Sequence, residues 1–292
     1  MRRRLLVRIA VAALLFGALP ARGAEAFTDD AGRRVEIGAP ARRIVTLAPH
    51  LAELAFAAGA GAYVVGVSSY TDWPDAARAL PQVAMSGQVD LERLVLARPD
   101  LVLTWASGVP AQENARIGRL GYRVVSVEIR RLEDVAVWLR RIGELAGTTA
   151  TANAAATAYE RELAALVARY RGRAPVPTFY EIWNDPLMTL SGSHLVSQIL
   201  DVCGGRNVYA DATTLAPVVS LEDLIATRPV AVLVAAPPEQ AAKWTGAWRT
   251  DPRLRAVQAR HVESIDPALA NRMGPRVLDG VKAVCAALER AR

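Results

Sequence analysis

Leu91-Glu92-Arg93-Leu94-Val95-Leu96-Ala97-Arg98-Pro99-Asp100-Leu101-Val102-Leu103 is matched without a gap by Leu221-Glu222-Asp223-Leu224-Ile225-Ala226-Thr227-Arg228-Pro229-Val230-Ala231-Val232-Leu233, with seven of the thirteen positions identical. Each copy reads as a cap (Asp90, Ser220), a short helix, an Arg-Pro stop and a buried strand. The same unit recurring 130 residues later implies two lobes built alike and related by an approximate twofold.

Outward from the first copy, apolar runs at 43–47, 63–68, 101–105 and 123–127 alternate with helical patterns at 50–58 and 111–120, the latter two closed by Gly59 and Gly121. Strands separated by single helices predict parallel β-α units. Between 132 and 171 the strand signal stops. The pattern there predicts a helix to about residue 146, then a second of more than twenty residues that Thr148-Thr149 can cap and Gly172 ends. Such a helix is ~30 Å long, enough to cross a small domain. Strand-helix alternation restarts at 178–183. The expected fold is α/β, with two Rossmann-like lobes (27–147 and 173–292) joined by one long backbone helix (148–172).

A hydrophobic content of 52% with 22% charged residues and 2 Cys excludes a disordered chain and a cysteine-stapled mini-protein. The net charge of +6 suggests a polyanion partner until its source is located. Arg2, Arg3, Arg4, Arg8 and Arg22 all lie in the first 23 residues; removing them leaves 30 basic against 29 acidic residues. Nucleic acid is therefore not an expected partner. Those first residues read as a secretory signal peptide: a basic start, an apolar stretch from Ile9 to Leu19, and small residues that place cleavage between 21 and 26. No cysteine follows the apolar run, so an exported, periplasmic protein without a lipid anchor is expected. In an oxidising compartment Cys203 and Cys285 are expected to pair, the alternative being two buried thiols.

No nucleophile-base pair, zinc signature or phosphate loop stands out among the residues, so neither an enzyme nor a resident cofactor is expected. What remains is a two-lobed exported protein whose lobe junction is its natural concave site.

Four stretches carry a resemblance. They are Gly66-Val67-Ser68-Ser69-Tyr70-Thr71-Asp72-Trp73-Pro74; Leu91-Glu92-Arg93 with Arg98-Pro99-Asp100; Cys203-Gly204-Gly205 with Asn207; and Arg272 with Gly274-Pro275-Arg276, leading to Cys285. In this order and spacing the chain resembles the periplasmic cobalamin-binding proteins of ABC importers, a class whose lobes share a single helical backbone. The resemblance spans about 43 to 288. It implies a monomer that captures cobalamin or a related corrinoid between its lobes and delivers it to an inner-membrane permease. Glu92 and Glu222 match the two acidic residues, one on each lobe tip, that dock onto permease arginines. Tyr70 and Trp105 match aromatic positions of the cleft, and Arg272 matches a basic one; Trp183 is expected at the rim. The chain departs from the pattern at Ser86 and Ala216, where cobalamin binders carry Trp. His50 and His194 each open a helix facing the expected cleft. Each is either a candidate axial ligand for the metal of a bound complex or a plain helix-start residue. Haem or a ferric siderophore is the alternative cargo. An exported enzyme acting in the cleft, or a receptor module for another partner, is the alternative of a different class.

Overall fold

A computed structural model describes residues 26–85 and 88–292. The leader reading and Ser86 lie outside the described residues. Two parallel-rich sheets carry the architecture. In the first lobe six strands are ordered Gln88–Val89, Gln82–Met85, Val64–Ser68, Ile44–Thr46, Leu101–Trp105 and Val124–Val127, with only the first pair antiparallel. In the second lobe four parallel strands are ordered Gly205–Asn207, Val176–Glu181, Ala231–Ala235 and His261–Ile265. The expected α/β class is the observed one.

The thirteen-residue unit has the same geometry in both lobes. The Asp90 carboxylate accepts the Arg93 amide at 3.0 Å, and the Ser220 hydroxyl accepts the Asp223 amide at 3.1 Å. Both helices, Leu91–Ala97 and Leu221–Thr227, end on an arginine in the left-handed region, Arg98 at φ 45° and Arg228 at φ 47°. A following proline disfavours further helix, and the chain enters a central strand in each sheet. Leu94 and Leu224, at the matching position, are both fully buried.

Helix Thr149–Tyr170 runs between the two sheets in sequence. Its buried residues Ala152, Ala156, Tyr159, Leu163, Leu166 and Tyr170 follow the spacing of one helical face. Helix Asp134–Ala146 packs on it closely because Gly143 offers no side chain; a Cβ there would sit 2.2 Å from that of Ala152. The Tyr159 hydroxyl donates to the Leu132 carbonyl at 2.8 Å. Thr148 occupies the cap position as expected, but its hydroxyl donates to the Ala58 carbonyl at 2.7 Å instead of capping the helix. That bond ties the helix start to the first lobe.

One apolar core runs through the whole junction. It joins Leu51, Leu103 and Val125 of the first lobe to Tyr159 and Leu166 of the long helix and to Tyr180, Val196 and Val281 of the second lobe. Cys203 and Cys285 are disulfide-bonded within it, linking the end of helix Leu195–Val202 to helix Val277–Ala291.

A separate core in the second lobe, around Phe179, Val232, Val234, Trp244 and Trp248, abuts an ionisable group. Glu181 is 1% exposed, and its carboxylate accepts the Trp248 indole N–H at 2.6 Å. Burial pushes its pKa up to about 7, against the smaller downward pull of that indole. A carboxyl raised in the folded state adds stability in full below its unfolded pKa, and loses it as pH rises through the folded value. Urea unfolding of the wild type should therefore fall by about 3 kcal/mol relative to Glu181→Gln between pH 4.5 and 8. Parallel pH profiles for the two proteins would contradict this.

Candidate functional site

The carboxyl ends of strands in both sheets lead into loops that face one another, the usual place for a ligand in open α/β sheets. They enclose a cleft of about 810 Å³. The first lobe contributes His50, Tyr70, Asp72 and Trp105, and the second contributes Glu239, Asp266, Asn271, Arg272 and Met273. Four residues named from the sequence, His50, Tyr70, Trp105 and Arg272, are thus brought together.

Tyr70 follows the strand Val64–Ser68 and sits at φ 62°, a region uncommon for residues with a side chain. It is 75% exposed, so a large aromatic face stands in the cleft with little covering it. Such faces bury much apolar area at low rotamer cost. Trp105 ends its strand half-buried, and its ring stands perpendicular to the His50 imidazole with centroids 5.4 Å apart.

His50 lies at the start of helix Pro49–Ala57 and is almost wholly buried. Burial, with the Arg272 charge as a second cause, lowers its pKa to about 3. The imidazole is therefore neutral at every physiological pH, and its Nε2 has no hydrogen-bond partner among the described residues. His194 is also neutral, lowered to about 4 by burial. Its Nδ1, however, accepts the Val196 amide at 3.1 Å as the cap of helix Leu195–Val202. It is not among the cleft-lining residues, so the helix-start reading fits it and the axial-ligand reading does not.

Trp183 is likewise apart from the lining. The second lobe's first strand ends at Glu181, two residues sooner than the pattern predicts, and Trp183 begins a small hairpin with Leu187–Met188. Its ring edges onto Trp244 at 5.7 Å, and its indole donates to the Asp185 carbonyl at 2.8 Å.

Arg272 is engaged from two sides. Its guanidinium pairs with Asp72, Nη2 lying 3.3 Å from Oδ2, and with Glu53 at 3.3 Å. Arg276 reaches the same Glu53 at 2.7 Å and lies over the Trp73 ring. Glu53 is buried to 2% at the side chain. One first-lobe carboxylate thus holds two second-lobe arginines. Partial burial pushes Asp72 up, but the Arg272 guanidinium outweighs it and leaves the carboxyl below its ordinary value. Glu53 and Arg276 carry no role in the sequence reading. The available signal was a lone carboxylate inside the apolar run Leu51-Ala52-Glu53-Leu54-Ala55-Phe56, since charged residues are seldom fully buried unless paired.

Glu92 and Glu222 occupy the second position of the repeated helices, one on each lobe. Both are exposed, and neither pairs with a basic side chain among the described residues. No helix among the described residues is long and apolar enough to cross a membrane, and none of their side chains cluster as a metal site.

A family model of periplasmic binding proteins matches residues 44–272, which spans both sheets, the long helix and the cleft. This chain belongs to the periplasmic binding protein family. Within that family, a vitamin B12-binding protein of Vibrio cholerae is 31% identical over 253 residues, covering 87% of this chain and 91% of the relative. The crystal structure of the periplasmic vitamin B12 binding protein of Vibrio cholerae superposes with a TM-score of 0.79 at 32% identity, over 86% of this chain and 98% of that one. A periplasmic haem binding protein from Pseudomonas aeruginosa superposes with a TM-score of 0.72 at 25% identity, over 85% and 92%. These relatives are binding proteins.

Proposed function

We propose that this protein captures cobalamin or a related corrinoid between its lobes and hands it to an inner-membrane ABC importer. The observation that carries the reading is the cleft itself. It offers about 810 Å³ between Tyr70, Trp105 and Arg272, in a chain whose 31% identical relative is a vitamin B12-binding protein. Haem is the second reading, favoured by the neutral His50 at the cleft and by the haem-binding structure. The charge of the lining weighs against it. Asp72, Glu239 and Asp266 face the cleft, and Arg272, its basic group, is already committed to Asp72 and Glu53. A haem dicarboxylate would meet repulsion there, whereas the amide N–H groups around a corrin would find acceptors.

Export through the leader in residues 1–23 and release into the periplasm complete the reading. Glu92 and Glu222, exposed on the two lobes and unpaired among the described residues, would fix the register of docking on the permease more than add affinity. Changing both to Ala should abolish uptake in cells while leaving ligand affinity unaltered; uptake at the wild-type rate would remove the docking role.

The deciding experiment is equilibrium titration of the purified mature chain with cobalamin, cobinamide and haemin. Saturable corrinoid binding is expected, with Trp105→Ala weakening it at least about 30-fold, the size of an aromatic hot spot of ~2 kcal/mol. A haem Soret shift that depends on His50, without corrinoid binding, would replace the first reading by the second.

A further inference from the structure

The Trp105 ring is held more tightly than its half-burial requires. Its indole N–H donates to Glu128 Oε1 at 3.1 Å. The other oxygen of that carboxylate accepts the Ser107 amide at 2.8 Å, so one group ties the ring to the turn that follows its strand. Gly108 in that turn lies against the ring, and a Cβ there would fall 1.9 Å from Trp105 Cε3. The His50 imidazole stands perpendicular to it. Glu128 is itself fixed: it is 9% exposed, and its amide donates to Asp30 Oδ2 at 2.6 Å. That same Asp30 oxygen accepts the Trp138 indole at 2.9 Å. Glu128 follows the strand Val124–Val127, whose last residue is in register with Trp105.

We infer that Glu128 is a positioning residue for ligand capture: its carboxylate locks the Trp105 indole in the one orientation that lines the cleft before any ligand arrives. A ring fixed beforehand spares the complex the cost of ordering it, and pre-organisation of one bulky side chain is worth about tenfold in affinity. A carboxylate suits the task because it can accept two N–H groups at once, which an aliphatic residue cannot. This rests on the reading that the cleft is the binding site.

A double-mutant cycle separates positioning from mere structural support. Phe in place of Trp105 keeps an aromatic ring but has no N–H for Glu128 to hold. In the wild-type background Glu128→Leu should weaken cobalamin binding by about tenfold. In the Trp105→Phe background the same change should alter the dissociation constant by less than about twofold. Equal losses in both backgrounds would overturn the inference. Should Glu128→Leu fail to fold, Glu128→Gln serves, since its side-chain carbonyl still accepts the indole and affinity should stay close to the wild type; a tenfold loss there would count against the role. The indole N–H resonance of ligand-free protein gives a readout independent of cargo. It should be protected from exchange in the wild type and in Glu128→Gln, and a freely exchanging Trp105 indole in the wild type would refute the clamp. Failure of the wild type to bind cobalamin or haemin would instead remove the proposed function, with the resonance still reporting on the clamp.

Discussion

Replacing Cys203 and Cys285 together by alanine is expected to lower the unfolding free energy by about 4.5 kcal/mol, the chain-entropy value for a bridge that closes a loop of this length. The two cysteines are 82 residues apart in sequence, both are fully buried, and they join helix Leu195–Val202 to helix Val277–Ala291. Without the bridge the unfolded chain gains the freedom of that whole loop, so the urea dependence of unfolding should steepen as well. The second helix begins just after Arg272 and Arg276, the arginines that reach across to the first lobe. Reduction should therefore loosen the cleft before it unfolds the lobe, and ligand should protect the bridge from reductant. A stability loss below 1 kcal/mol, with an unchanged urea slope, would show that the bridge is ornamental to the fold.

Glu53→Ala is expected to cost about 3 kcal/mol and to weaken ligand capture together with stability. Removing one partner of a buried ion pair leaves the other charge uncompensated, and 3–5 kcal/mol is the usual range. The lower end applies here because Arg272 keeps Asp72, and both arginines retain some access to water. Glu53→Gln should fall between the two proteins, since it still accepts a hydrogen bond but offers no charge. Combining Glu53→Ala with Arg276→Ala should recover part of the loss by removing the orphaned cation. A Glu53→Ala protein as stable as the wild type would mean that the Glu53 bridge adds nothing to holding the lobes together.

The repeat was readable because its grammar is local. A cap, a short helix, an Arg-Pro stop and a strand each depend on neighbours a few residues away, and Leu91–Ala97 and Leu221–Thr227 formed where that grammar places them. The long helix, Thr149–Tyr170, was readable for the same reason. The Glu53–Arg272–Arg276 bridge was not, since its partners lie 219 and 223 residues apart and no local pattern links them. Glu128 was hidden similarly: a carboxylate at a strand end is unremarkable until the fold sets it beside an indole 23 residues earlier. The positions of Trp183 and His194 were set by short-range detail: of the two alternatives the sequence left for His194, the structure shows the helix-start one. A short hairpin after Glu181 turns Trp183 onto Trp244, and a hydrogen bond from the Val196 amide takes up the His194 Nδ1 lone pair.

The apolar core that passes unbroken from one lobe through the long helix to the other has a consequence for unloading. Levering the halves apart would wet surface that is dry in this structure, at ~2.5 kcal/mol for every 100 Å² of hydrocarbon, besides rupturing the carboxylate-guanidinium bridge beside the cleft. Thermal breathing alone makes such an excursion rare, so a tightly held cargo would stay in place through many random encounters. On the proposed function, the work of eviction would then come from whatever receives the cargo, which would make the receiver, and not the carrier, the clock of the transfer.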